Sequence, residues 1–433
     1  MPAESNNELN HWRYQRRNFV GGMIHALFFR LGMAFSQVTS VLPAFIFALT
    51  GSNFWVGLLS TLQRTAVVFP QLFFANFLQA RSRKKPYLLG VIYFRSAVWL
   101  FLAITTFYLG TSRPHLLAVF LILFIMSFFL AGGLGELIYS YLIASTISPT
   151  MRGRFMGGRA VLGGIAGIIA GYISRQVLAA VNTHHFTQSY GTLFLLTSLS
   201  IAIAGTGFWV MREPRLTAVN SSQNLKNYLK DAFALVKEHT AFQRLLLVTF
   251  LIAGMYVALP FYVIFAKVHL GIRDATIGIY VTLQLVGDSL GGLLWGWMGD
   301  RRGYRLVLIG IAAVTLVIPL WAIVTGLWFP IAFPATFAFS GMVFRNMRIA
   351  TRNYLFEIAP EQMVPTYLAL KNTLTAPSLL FPLIGGGIAR WGGYQVLFIV
   401  TALVAIGCII MSIGLPEPRT PPESTFSSAV SNK

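Results

Sequence analysis

Gly296-Trp297-Met298-Gly299-Asp300-Arg301-Arg302-Gly303-Tyr304-Arg305 is a short charged loop set between two long apolar runs, Ile277 to Met298 and Val307 to Gly326. Its residues suit a gate at a membrane surface. Gly296 lets two helices approach closely, and Gly303 supports a tight turn. Asp300 can accept from a neighbouring helix N-terminus, while Arg301 and Arg305 can bind carboxylates or helix C-termini. An ordinary basic loop would explain the arginines but not glycines spaced about one aspartate.

The runs on either side are two of twelve. In chain order they are Gly21 to Leu49, Phe54 to Leu78, Tyr87 to Tyr108, Leu116 to Ile147, Arg159 to Val181 and Tyr190 to Met211. After a polar stretch the second set is Arg244 to Val268, Ile277 to Met298, Val307 to Gly326, Leu327 to Ile358, Thr366 to Ala389 and Tyr394 to Leu415. Of the 433 residues, 56% are hydrophobic and only 11% charged, with a mean hydropathy of +0.68. A soluble domain carries about 25% charged residues. One bilayer crossing takes roughly 20 apolar residues, so the chain has room for about a dozen crossings and short loops. Only helices or closed barrels satisfy the backbone in lipid, and these runs are too long and uniformly apolar for barrel strands. The fold class is therefore an all-α membrane protein of twelve transmembrane helices.

A net charge of +20, from 33 Lys and Arg against 13 Asp and Glu, would mark a nucleic-acid binder in a soluble chain. Here the basic residues collect in alternate loops, so no nucleic-acid partner is expected. With the N-terminus inside, roughly 22 of the 33 fall in tails and cytoplasmic loops, as the positive-inside rule requires. Both termini are thereby expected in the cytoplasm of a bacterial inner membrane. The first run is too long for a signal peptide and is read as a retained span. Cys408 reads as a small packing residue.

The two sets repeat one another. Leu42-Pro43 in the first run corresponds to Leu259-Pro260 in the seventh, and Gly57-Leu58 with Gln63 to Gly278-Ile279 with Gln284. The sixth run ends Met211-Arg212-Glu213-Pro214-Arg215 and the twelfth Leu415-Pro416-Glu417-Pro418-Arg419. These collinear pairs divide the chain into two pseudo-symmetric halves of six helices, 21–211 and 244–415. A cytoplasmic tail, 1–20, precedes them and a disordered tail, 416–433, follows. A linker, 212–243, joins them, with an amphipathic surface helix expected through Leu225, Leu229, Ala232 and Val236.

The loop after the eighth run resembles the Gly-x-x-x-Asp-Arg-x-Gly-Arg-Arg loop of the major facilitator superfamily. The resemblance spans the whole chain, because the halves repeat as that superfamily's do. Its first-half counterpart, Ala75-Asn76-Phe77-Leu78-Gln79-Ala80-Arg81-Ser82-Arg83-Lys84, lacks both glycines and has Gln79 in place of the aspartate. A weaker charged latch is expected on that side. Pro149-Thr150-Met151-Arg152-Gly153-Arg154-Phe155-Met156-Gly157-Gly158-Arg159, and Pro70-Gln71-Leu72 leading to Arg83-Lys84-Lys85-Pro86, resemble a bacterial branch with no assigned substrate. The resemblance implies that the first, fourth, seventh and tenth helices line a central cavity, with the third peripheral.

Ionisable groups at bilayer depth are functional hypotheses by default. The acids are Glu136 and Asp288; the bases are Arg30, Arg64, Arg95, Arg345, Arg348 and Lys371. At ~1.5 Å per residue, Arg30, Arg95, Glu136, Asp288 and Arg348 lie ~14–16 Å deep, near the midplane. Glu136 and Asp288 are the proton-coupling candidates. Arg30, Gln37, Gln284, Arg345, Asn346 and Arg348 are the cavity candidates. Arg30 and Gln37 share a helix face, as do Arg345 and Arg348, whereas Arg345 and Asn346 diverge by ~100°. Each has a plainer reading. Arg95, on the peripheral helix, suits a structural partner for Glu136. Gln284 and Asp288 form either a polar cavity face or an interhelical hydrogen-bond pair. Lys371, ~10 Å deep, can snorkel. Gly163, Gly164, Gly167 and Gly171 suit close helix packing, and Pro377, Pro382 and Gly385-Gly386-Gly387 a hinge.

The functional expectation is a proton-coupled secondary transporter of a small solute, working by rocking of its halves, as a monomer in lipid. The excess of buried cations points to an anionic or carboxylate-bearing solute. Two alternatives stand beside it: an exporter of drugs or amphiphiles, using the 36 Phe, 16 Tyr and 9 Trp, and a transporter-fold sensor that moves nothing. No enzyme, cofactor or metal centre is expected, because the sequence offers no metal-ligand cluster, no nucleophile with base and acid in register and no phosphate-cradling loop. His184-His185 reads as a solvated pair in an external loop.

Overall fold

In the computed structural model, residues 14–79, 83–110, 112–180, 186–213, 236, 239–360 and 363–419 are described, with backbone alone for 69–79 and 365. The expected amphipathic helix of the linker, most of both tails, part of the first-half loop and His184-His185 lie outside the described residues.

Helices follow the apolar runs because nothing in lipid competes for backbone hydrogen bonds. The first half holds α1 (Gln15–Phe35), α2 (Val41–Thr50), α3 (Asn53–Gln79), α4 (Lys85–Leu109), α5 (Pro114–Thr146), α6 (Pro149–Ala179) and α7 (Phe186–Val210). The second holds α8 (Thr240–Ile252), α9 (Met255–Ala258), α10 (Tyr262–His269), α11 (Ala275–Arg302), α12 (Tyr304–Leu327), α13 (Ala335–Phe344), α14 (Asn346–Ile358), α15 (Val364–Leu374), α16 (Phe381–Trp391) and α17 (Gly393–Ile413). Among the described residues nine helices are long and apolar enough to cross a bilayer, with α8 to α10 counted as one. Three expected spans fall outside that set for visible reasons. Gln63 and Arg64 make α3 more polar, and two spans are broken, α13–α14 at Arg345 and α15–α16 through Thr375 to Leu380.

The first span is broken as well. Between α1 and α2 the chain runs Ser36-Gln37-Val38-Thr39-Ser40, with the Gln37 carbonyl accepting from Val41 at 3.0 Å. Pro43 then sits in the first turn of α2, where a missing N–H costs nothing. Its repeat partner Pro260 lies in a short 3-10 segment, Leu259–Phe261, between α9 and α10. Broken helices at membrane depth are tolerated where they line a cavity or pack on protein.

Within the first half α1 packs on α7 and α6, α4 on α7 and α5, and α3 on α5; within the second, α11 packs on α13 and α17 on α12 and α8. The halves meet along two seams, α6 with α11 and α3 with α16. Glycines make the seams close. A side chain at Gly278 would meet the backbone of Gly171 and Arg175, and one at Gly57 the carbonyl of Pro382. The α6 glycines do what their spacing suggested: Gly164, Gly167 and Gly171 face Ser289, Leu285 and Thr282 of α11, whereas Gly163 faces Arg30.

Tyr394 Oη donates to Asn53 Oδ1 at 2.9 Å, and Leu383 N to Thr61 Oγ1 at 3.1 Å. These contacts tie the halves together on the face where α2 ends and α17 begins. Gln15 and Ile413, the outer ends of α1 and α17, lie on the opposite face. There the hydrogen bonds among described residues stay inside each half. Arg17 donates to Val210 O in the first half, and Arg305 to Ile413 O in the second.

The repeated Glu-Pro ending has a physical use. Glu213 accepts the backbone N–H groups of Lys84 at 2.8 Å and Lys85 at 2.9 Å, capping α4 with both carboxylate oxygens. Its counterpart Glu417 lies against Gly303, the cap of α12. Glu213→Ala is expected to cost about 1 kcal/mol, as loss of a helix cap does, read as a lower unfolding temperature of the purified protein.

Candidate functional site

Asp288 projects from α11 between the halves and is met there by two arginines. Arg30 Nη2 from α1 lies 3.2 Å from its Oδ2, and Arg345 Nη1 lies 2.8 Å from the same oxygen. Arg345 is the residue at which α13 gives way to α14. In an unbroken helix Arg345 and Asn346 would point ~100° apart. With α13 ending at Phe344 and α14 starting at Asn346, both reach Asp288, since Asn346 Nδ2 donates to the Asp288 carbonyl at 3.2 Å and to Met342 O at 3.1 Å. That corrects the expectation that Arg345 and Asn346 would be kept apart.

One turn earlier on α11, Gln284 is held by the break in the first span. Gln37 Nε2 donates to Gln284 Oε1 at 3.1 Å, and Thr39 Oγ1 to the same oxygen at 2.5 Å. The repeat pairing of Gln63 with Gln284 does not make them alike: Gln284 bridges halves, whereas Gln63 Nε2 is buried without a partner. Gln284 Nε2, Arg64 Nη1, Ser40 Oγ and Ser60 Oγ are also buried and unpartnered. Buried polar groups are ordinarily paired with protein or ordered water, so these donors are open to water or to a ligand's acceptors.

Thr39 was not singled out from the sequence, and Arg64 was named only among the buried bases and not as a cavity residue. Arg64 Cζ stands 3.3 Å from the ring centroid of Tyr256 on α9, a cation–π contact across the halves. Thr39 belongs to a polar pentad inside an apolar run, a signal that was available. Arg348 is exposed, within electrostatic reach of Asp288, Arg64 and Lys371. Lys371 is buried rather than snorkelling, with Nζ 3.5 Å from Thr351 Oγ1.

Glu136 stands apart. It is exposed on α5, and among the described residues no ion pair joins it to Arg95. Arg95 feels its charge but stacks its guanidinium 4.0 Å from the Phe128 centroid, against Gly132, one turn before Glu136. The expected Arg95–Glu136 pair is therefore not a contact here, because two aromatic faces hold the cation instead.

The charged loop also differs from expectation in part. Gly303 takes a φ of +82°, the tight turn foreseen. Gly296 does not serve close packing, since a side chain there would meet nothing within 4 Å. Arg301 lies 5.0 Å over Trp297, and the Asp300 carbonyl accepts from Arg419 Nη1 at 3.1 Å. Arg419 also binds Glu357 Oε1 through Nη2 at 2.5 Å. The loop is thus engaged with its own half.

Residues 245–431 match the Major Facilitator Superfamily. Three solved structures extend the likeness over the rest. A bacterial homologue of the iron transporter ferroportin in an inward-facing state is 12% identical, with 92% of this chain and 98% of that chain covered and a TM-score of 0.69. The nucleoside transporter NupG is 14% identical over 92% and 98% of the two chains, with a TM-score of 0.64. A D-xylose–proton symporter is 12% identical over 94% and 98%, with a TM-score of 0.61.

The chain has the major facilitator superfamily fold.

It is a multi-pass membrane protein, and the three solved structures it resembles are transporters by name rather than enzymes. No curated protein sequence matches it. Within this superfamily fold, the Arg30–Asp288–Arg345 cluster lies where the two halves meet.

Proposed function

We propose that this chain is a secondary active transporter that carries a small anionic or carboxylate-bearing solute with protons by alternating access. The observation that carries the proposal is the sharing of one carboxylate oxygen of Asp288 by Arg30 and Arg345, one from each half. A solute carboxylate and Asp288 would compete for the same two guanidinium groups. A proton on Asp288 removes the competitor, so proton and anion bind together and the arginines change partner without being left bare. Buried donors on Gln63, Arg64 and Gln284 supply further positions for solute oxygens. Gln37 and Asn346 position Gln284 and Asp288, and Arg348 adds positive potential.

The face on which the halves are tied together lies away from Gln15 and Ile413. The loops on the side of those two residues hold the clustered arginines, so by the positive-inside rule that open side is the cytoplasm of a bacterial inner membrane. In this state Gly296, Asp300, Arg301, Gly303 and Arg305 form an unlatched cytoplasmic gate, which would engage the first half when that face closes. Glu136, exposed on α5, is the second proton-coupling candidate.

In proteoliposomes with an imposed pH gradient, a panel of organic anions is expected to include one taken up in a gradient-dependent manner. Asp288→Asn is expected to reduce that uptake at least tenfold and remove its dependence on the gradient. Glu136→Gln should produce the same loss if it relays the proton, and full gradient-driven uptake in that variant removes it from the path. Gradient-driven uptake by Asp288→Asn at the wild-type rate would end the coupling proposal.

A further inference from the structure

Next to Asp288 the second half contains a small, partly open cleft of about 80 Å³, lined among others by Gly292, Trp295, Gly296, Val307, Asn346 and Ile349. It exists because α11 packs along α13 but stands off from α14 beyond the break at Arg345. Two glycines, one turn apart on α11, keep it empty of side chains. At Gly296 a Cβ would meet nothing within 4 Å, and at Gly292 its nearest neighbour would be the Asn346 side chain. Trp295 forms a fixed wall, its indole N–H donating to Met342 O at 2.8 Å.

Asn346 belongs to both places. Its amide is bonded to the Asp288 carbonyl, and its side chain lines the cleft. Ile349, also in the lining, follows directly after Arg348 and is half exposed. An apolar slot therefore opens beside a cluster of guanidinium groups that, among the described residues, share the carboxylate of Asp288. Cations at one end and an apolar wall at the other complement an amphipathic anion rather than a sugar or a small inorganic ion.

We propose that this cleft receives the aliphatic or aromatic part of a carboxylate solute whose charged end is held by Arg30 and Arg345. The inference rests on the anion-carrier reading and narrows its substrate class to amphipathic monocarboxylates. Each buried methylene should tighten binding roughly fourfold, up to the length the slot accepts.

The test compares octanoate with acetate on the full-length protein in lipid nanodiscs, by competition against a radiolabelled anion or by calorimetry. Octanoate is expected to bind at least tenfold tighter. Gly296→Leu, which fills the slot, should bring the ratio within threefold, and Gly296→Ala should give an intermediate ratio; unchanged unfolding temperatures show that both variants are folded. Equal affinities for the two anions in the wild type would overturn the cleft proposal while leaving the anion carrier standing, as expected if a bilayer acyl chain fills the slot. An undiminished octanoate preference in Gly296→Leu would overturn it as well. Binding of neither anion would remove the anion-carrier reading, and this proposal with it.

Discussion

Asp288→Ala is expected to destabilise the protein by about 3 kcal/mol, among the largest losses for a single side chain in this chain. The alanine would leave Arg30 and Arg345 facing each other with no carboxylate between them. Breaking a buried ion pair costs ~3–5 kcal/mol because the remaining charge is uncompensated. The low end applies, since the Asp288 side chain is 12% exposed and that of Arg30 26%, but that of Arg345 is 39% exposed and can turn toward water. Asp288→Asn keeps one acceptor oxygen and should cost less. Adding Arg30→Gln to Asp288→Asn removes one of the two unpaired charges and should recover part of the loss. Unfolding of the purified protein in nanodiscs measures all three. A loss below ~0.5 kcal/mol for Asp288→Ala would mean that neither arginine depends on the carboxylate, since surface pairs contribute that little.

Gly278→Val should act on the conformational equilibrium instead of on one half. The added Cβ would meet the backbone of Gly171 and Arg175 on α6, and backbone cannot yield by changing rotamer. Overpacking costs of about 1–3 kcal/mol correspond to a shift of ~5–150-fold toward a state in which α6 and α11 are apart. The hydrogen bond between Asn53 and Tyr394 lies on the other seam of the same face. Opening by rocking would expose both seams together. A cysteine placed at position 53 should react with a membrane-impermeant maleimide at least tenfold faster in the Gly278→Val background. The native Cys408 is buried and contributes little background. Unchanged labelling would show that the two seams open separately, contrary to movement of rigid halves.

The fold was legible in the sequence to a degree that the site was not. Lipid imposes one solution on a long apolar run, so helices appear wherever those runs lie. The duplicated Leu-Pro and Glu-Pro landmarks were enough to pair the halves. Glu213 and Glu417 even lie at comparable places, beside the starts of α4 and α12. The side-chain partners were harder to see. Arg345 and Asn346 meet one aspartate because the first reaches its carboxylate and the second its main-chain carbonyl, targets that helical periodicity does not distinguish. Arg95 had an acid within reach, yet aromatic rings took its guanidinium. Gly296 looked like a packing residue from its loop and instead borders empty space.

What the sequence by itself determined was local or compositional: which stretches form long apolar helices, that their landmarks recur in two sets, and which charges fall within them. Each of these follows from the solvent and the helix period, which act on every residue independently of distant ones. Which arginines close on Asp288, why Glu136 stays outside that cluster, and on which face the halves are tied together were decided only by tertiary structure. Such contacts join helices far apart in the chain, and shifts of a few ångströms in crossing geometry or one broken turn decide between partners of equal charge.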